Sequence, residues 1–291
     1  MWAMSRIERA MWDRDKGAAT ILRAWAARDG NERVRERSVG ALAVMRDAGG
    51  TSVFLDALAG DPSPRVRRAA AEAAGSLRIP EARAPLADLL KKDADPLVRA
   101  ECARALGRAG DRRSAPALMI ALLQDPSPEV RALCAEALSL LQTPDARALL
   151  SAAGLQDPST LVRIYAVRAL ADTAPAASSA SFKTVWETAT DPDLRVEAYR
   201  GLLLSGKAGE WEAAGFADLD DRVRFLAFRN WIGRSLPSRP EQALARGSTP
   251  VSRLEEFLFD RVGGIRELAK ERLEAMGYTL RASGFGYVIE R

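Results

Sequence analysis

Aspartate and arginine recur through this chain of 291 residues at intervals that an organised array would need. Asp29, Asp61, Asp93, Asp125 and Asp157 follow one another every 32 residues, and the series continues less evenly at Asp191, Asp218 and Asp260. Five residues after each comes an aliphatic: Val34, Val66, Val98, Val130, Val162, Val196, Val223 and Ile265. Six residues after it comes Arg35, Arg67, Arg99, Arg131 and Arg163, then Glu197 as an exception, then Arg224 and Arg266. Carboxylates can move protons and guanidinium groups can bind anions, so this array is the first candidate for chemistry. The rest of the toolkit is thin. The chain has no His. That removes imidazole acid–base catalysis, His-based metal sites, and Ser-His or Cys-His nucleophile pairs. Asp, Glu, Lys and Tyr remain, but no catalytic constellation can be assembled from them, and neither a cofactor nor a metal is expected.

The elements that must position these residues follow from the period. A repeat of 20 to 50 residues stacks into a solenoid, with each unit burying its apolar face against the next. In Asp61–Leu77, Ser and Asp precede the run as helix N-caps and Pro fits the first turn. Val66, Ala69, Ala70, Ala73, Ala74 and Leu77 then fall on one helical face, with Arg68 and Glu72 on the other. In the next repeat Gly107 and Gly110 read as C-terminal stops. Shorter apolar segments, 51–59, 84–91, 114–124 and 146–155, supply a preceding helix. Each repeat is therefore helix A, an Asp-Pro turn, helix B, and a turn to the next helix A. The expected fold is all-α, a right-handed α-solenoid of about eight helical hairpins in a single domain over 1–291. Its parts are an N-terminal cap with the first helix A (1–28), repeats (29–234), an irregular insertion (235–259), a last helical repeat (260–277), and a tail (278–291). The tail reads as a short β-hairpin or extended segment that lies against helices or pairs with another chain, a possible route to an oligomer.

Composition bounds the partners. The net charge of +4 is small against 43 basic and 39 acidic residues, and no block is strongly basic despite a pI of 9.3. Cys102 and Cys134 stand nine residues after their repeat's Asp, hence at equivalent sites on neighbouring helices with axes about 8–10 Å apart. Disulfide geometry needs Cα atoms within about 7 Å, so the pair reads as buried free thiols in a reducing compartment. Charges interrupt Met1–Arg9 too early for a signal peptide, and no apolar run reaches the length of a membrane span. A cytoplasmic location, with no membrane partner, is expected.

The Asp-Pro turn, the Val-Arg pair, the Ala-rich helix B and the linker from Gly110 to Leu118 together resemble the HEAT-like repeats of the phycobilisome-lyase type, found in many bacterial proteins. The resemblance covers 29–276 and is densest over 61–172. It implies that the turn Asp and the early helix-B Arg form a ladder of polar contacts between adjacent repeats, rather than a reactive site. It also implies a function drawn from binding scaffolds, lyases or DNA-repair proteins, since one fold hosts many functions.

Function is therefore sought on the solvent side of helix B, which lines the concave face in such stacks. Positions seven and eleven after the Asp, with the fourth and fourteenth beside them, give Arg65, Arg68, Glu72, Arg104, Glu129, Glu136, Ile164 and Arg168. Beyond these they give Ala198, Leu202, Arg222, Phe225 and Arg229. Signs are mixed through the middle. The seventh repeat interleaves Arg222 and Arg229 with Phe225, and Phe228 sits at the margin of that face, while Trp231 reads as core. Such a face can stack on bases or grip an acidic peptide; it can also be a bulky repeat packing on the insertion. The candidate binding residues are Arg68, Arg104, Arg168, Arg222, Phe225, Phe228 and Arg229. The leading reading is a non-catalytic scaffold for a protein or extended peptide. The alternatives are a DNA- or RNA-binding protein, including the DNA-glycosylase type, and a tetrapyrrole lyase or chaperone. Trp2, Met4, Met11, Trp12 and Trp25 form a cap or a further partner-binding face.

Overall fold

The structure is a computed structural model that describes residues 16–236 and 249–290. It is an α-solenoid. Sixteen α-helices among the described residues pair as eight A/B hairpins, followed by a two-stranded sheet. They fall into two compact units, divided after Ala174. The first unit holds α1/α2 (Lys16–Arg28, Glu32–Met45), α3/α4 (Gly50–Gly60, Pro64–Leu77), α5/α6 (Arg83–Lys92, Pro96–Ala109), α7/α8 (Ala115–Gln124, Pro128–Leu140) and α9/α10 (Arg147–Gln156, Thr160–Thr173). The second holds α11/α12 (Ser179–Thr188, Pro192–Leu204), α13/α14 (Ala208–Phe216, Asp221–Ser235) and α15/α16 (Thr249–Phe257, Gly263–Ala275). Strands β1 (Leu280–Ser283) and β2 (Gly286–Ile289) close the second unit as an antiparallel hairpin.

Helix α4 shows why these segments are helical. Pro64 sits in the first turn behind an extended Ser63, and Val66, Ala70, Ala73 and Ala74 are buried at helical spacing. Close approach between successive pairs is chiefly B on B, because the facing residues are small. A Cβ added to Gly75 would lie 2.6 Å from the Ala105 Cα, and one on Gly107 would lie 2.8 Å from the Ala137 Cα. Gly107 is thus a contact point inside α6, not the stop the sequence suggested. Gly110, at φ 77°, ends the helix.

The recurring Asp and Arg hold this stack together. Arg35, Arg67, Arg99 and Arg131 each donate from Nε and Nη2 to both carboxylate oxygens of an aspartate 26 residues later, at 2.7–2.9 Å. Each also donates from Nη1 to the carbonyl oxygen of the aspartate six residues before it, at 2.8–2.9 Å. That aspartate closes helix A, and from Asp61 to Asp157 its Oδ1 accepts the N–H two residues on. Burial pushes the Asp93 and Asp157 carboxyls up. The hydrogen bonds from Arg67 and Arg131, the backbone N–H bonds and the arginine charges outweigh it and hold both below the usual carboxylate range.

The sixth repeat corrects the sequence register. Its helix A closes at Ala189, with the extended φ −71°, ψ 129° that Asp93, Asp125 and Asp157 show in the first unit. Leu194 is buried, and Arg195 makes the ladder bond, to Asp218 Oδ2 at 2.6 Å. Asp191 instead caps α12 by accepting the Leu194 N–H. The phrase therefore begins two residues earlier than it reads, Arg195 is its arginine, and Glu197 replaces nothing. Two residues turn a helix by about 200°. That rotation is why Ala198 and Leu202, expected to face solvent, are fully buried.

Two further expectations change. Residues 249–257 of the expected irregular insertion form α15, a true helix A. Val251, Leu254 and Leu258 are buried at helical spacing against Phe228, Ile265 and Leu273. The adjoining 237–248 of that expected insertion lie outside the described residues. Residues Ala176–Ser178 form a single 3-10 turn, and the chain is helical from Ser179. The tail is the β-hairpin alternative, and it lies against helices: Tyr278, Leu280, Tyr287 and Ile289 pack on the core of the last two hairpins, and the Tyr287 N–H donates to the Leu258 carbonyl at 3.3 Å.

Candidate protein-binding groove

Numbering each B helix of the first unit from its ladder aspartate shows which positions face away from helix A. A groove of about 530 Å³ is lined by Arg68, Leu97, Ala100, Glu129, Ala132 and Leu161, by Glu72, Arg104 and Arg108, and by Glu101, Leu133 and Tyr165. These are positions 4, 7, 8, 11 and 15, one helical stripe across α4, α6, α8 and α10. It continues through Glu72 and Ser76 to a second hollow against Glu36, Arg37 and Val44 on α2. Through Arg108 it continues to a third, by Gly107 and Leu140.

The groove mixes charge and apolar surface. Leu97 and Leu161 expose 57% and 40% of their area, enough for each to offer a free apolar contact. Arg104 donates from Nη1 to Glu101 Oε2 at 2.5 Å. Arg68 and Arg108 make no ion pair among the described residues, and the Arg168 guanidinium lies 5.6 Å from the centre of the Tyr165 ring. Cys102 and Cys134, behind the groove on the packing side, are buried and unbridged, and burial pushes both thiols well up.

Of the residues singled out from sequence, Arg68 and Arg104 come together in this groove and Arg168 stacks on Tyr165, another of its lining residues. The others belong to the second unit. Arg222 is half exposed but engaged, paired with Asp193 at 2.5 Å and Asp220 at 2.9 Å. Arg229 is exposed. Phe225 is half buried against the core, and Phe228 is fully buried within it, stacked with Trp231 and tilted against Phe257. Phe228 is therefore no margin of a binding face. It stands ten residues after Asp218, the position of buried Ala71, Ala103, Ala135 and Val167. Position 14, expected beside the open face, is where Gly75 and Gly107 meet the next helix; position 15 is the open one. Sequence reasoning missed position 8, the row Arg37, Ala69, Glu101, Leu133, Tyr165. Its signal was available, since 4, 8, 11 and 15 share one helical face. Of the N-terminal aromatic and Met residues, Trp25 is half buried on α1 and the others lie outside the described residues.

A profile described as HEAT repeats matches residues 19–102 and 84–171, more than half of the chain. The chain belongs to the HEAT repeat family. Among solved structures, this HEAT protein is similar to YibA of Escherichia coli, with 20% identity and a TM-score of 0.56 over 78% of this chain and 85% of that one. It is also similar to an engineered protein, with 22% identity and a TM-score of 0.51 over 90% and 79%. The CpcE–CpcF complex of phycocyanin lyase from Nostoc sp. matches with 18% identity and a TM-score of 0.49 over 89% and 94%. The likeness to YibA and to the engineered protein is one of fold alone and says nothing about what is bound. No functionally curated protein matches the chain. No helix among the described residues is long and apolar enough to cross a membrane.

Proposed function

We propose that this HEAT protein is a non-catalytic scaffold whose B-helix groove binds an extended segment of another protein. The observation that carries the reading is the continuous groove from Glu36 to Tyr165, in which the exposed Leu97 and Leu161 lie beside Arg68 and Arg108, arginines with no ion pair among the described residues. B helices are the more closely packed layer of the first unit, which makes theirs the inner, concave side of a curved stack. Five B helices about 8–10 Å apart span the length of about ten to twelve extended residues. Extended backbone suits such a surface, because side chains can reach leucine and charged contacts in turn. A nucleic-acid ligand fits less well, since Glu72, Glu101 and Glu129 share the groove with the arginines and repel phosphate. Thiol-dependent tetrapyrrole chemistry fits less well too, because both cysteines are buried.

A photo-crosslinking residue placed at Leu97 in the groove, and separately at Leu123 on an A helix, tests the reading. Leu97 is expected to label protein chains that Leu123 does not, and Arg68→Glu with Arg104→Glu is expected to suppress that labelling. Equal labelling from both faces, or recovery of nucleic acid alone, refutes it.

A further inference from the structure

Position 8 of the first unit's B helices carries Arg37, Ala69, Leu133 and Tyr165 around one acid, Glu101. That side chain is 9% exposed, so it is nine-tenths buried in a groove wall whose apolar part is built from Leu97, Ala100, Ala132, Leu133, Leu161 and Tyr165, with Arg68, Glu72, Arg108 and Glu129 beside them. One of its oxygens, Oε2, accepts from Arg104. The other, Oε1, is buried with no hydrogen-bond partner among the described residues. A buried carboxylate oxygen left without a donor is costly, and such orphans in native folds call for a partner. Arg104 is itself 36% exposed, and both side chains line the groove.

Resting on the scaffold reading above, we infer that Glu101 is the specificity residue of the groove and that the bound segment presents a lysine or arginine side chain to it. The chemistry of the lining selects that side chain over others. Its aliphatic stem suits the exposed Leu97 and Leu161, and its head supplies the donor and charge that Oε1 lacks. A neutral apolar side chain leaves the orphan oxygen more deeply buried, and an acidic one meets Glu101, Glu72 and Glu129. Arg68 and Arg108, without an ion pair among the described residues, line the same groove and favour acidic residues at other positions of the segment. The expected sequence is therefore a basic residue with apolar neighbours, flanked by acids. The Glu197–Arg200 pair at 3.3 Å, in the corrected register, occupies the same positions 8 and 11 on α12. The groove carboxylate thus recurs once in the second unit.

Selection of a phage-displayed library of random 12-residue peptides on the full-length protein tests the inference. Recovered peptides are expected to carry lysine or arginine at one fixed position. A synthetic selected peptide is then compared with its copy in which that residue is norleucine, against wild type and Glu101→Gln. The basic peptide should lose about tenfold or more in affinity on Glu101→Gln, and the norleucine copy should lose little. Peptides that bind at Leu97 but show no basic enrichment, or equal losses for both copies, overturn the role of Glu101 while leaving the scaffold intact. Recovery of no peptide whose binding Leu97→Asp abolishes overturns both. Circular dichroism of Glu101→Gln, expected to match wild type, separates lost contact from lost fold; a collapsed spectrum assigns Glu101 to structure and overturns the inference.

Discussion

The ladder of the first unit and that of the second use the same residues with different geometry. In residues 29–157 each arginine grips both oxygens of an aspartate at an unvarying distance of 26 residues. In the second unit Arg195 reaches Asp218 after 23 residues and Arg224 reaches Asp260 after 36, each through a bond from Nη2 to a single carboxylate oxygen. Asp218 is shared with the Trp186 indole N–H at 2.8 Å. Unchanging spacing allows one optimal fork to be repeated. Varying the intervening helix A forces each later pair to find its own solution, with large aromatics filling what alanine fills earlier. Faithful recurrence here marks support, and departures from it mark places where something else was selected.

The sharpest way to break this comparison is to remove a carboxylate from the regular ladder. Asp125→Ala leaves the Arg99 guanidinium, 11% exposed, without its partner and is expected to cost about 3–5 kcal/mol in urea denaturation followed by circular dichroism. A loss below about 1 kcal/mol would make the ladder decorative. The close B-layer contact comes next. Gly107→Ala improves helix propensity but drives a methyl into the Ala137 backbone, so a net loss of about 1–3 kcal/mol is expected. Stabilisation would show that the B helices have room to separate. Arg195→Ala in the irregular unit should cost less, about 1–2 kcal/mol, because Asp218 keeps the Trp186 bond. The fluorescence of Trp186, Trp211 and Trp231 follows that unit.

Acid should act first on the regular ladder. Asp93 and Asp157 are held below the usual range when folded, so their contribution is complete above the unfolded value near 3.9 and is lost as pH falls through the lower folded values. Thermal melting is expected to be flat in this respect above about pH 5 and to fall steeply below about pH 4. The smallest effect should come from the exposed Arg229: Arg229→Glu is expected to stay within about 0.5 kcal/mol of wild type.

The fold was largely legible, and the groove only in part. The 32-residue phrase dictated the hairpins, the stack and the ladder residues from Arg35 to Asp157, because turn, cap and helical face repeat locally; Arg163 carries the same phrase, but its Nε donates to the Gly154 carbonyl at 3.3 Å. Arg68 and Arg104 were readable as groove residues from the same periodicity. Glu101 was not, because the face expected from spacing comprises positions 7 and 11 with 4 and 14 beside them, and the row at 8 and 15 falls outside it. Phe228 was misplaced because aromatics beside arginines suggest a surface, whereas its position, ten after the aspartate, is core in every repeat of the first unit.

The sequence alone determined that this chain is a stack of A/B hairpins joined by aspartate–arginine pairs, since those follow from spacing and local helix chemistry. Only the tertiary structure decided that the sixth phrase starts at Ala189, that 249–257 is a helix, and that one oxygen of Glu101 is buried without a donor. Each of these depends on which neighbouring helix a side chain meets, and that is set by packing between segments distant in the chain rather than by any pattern within one of them.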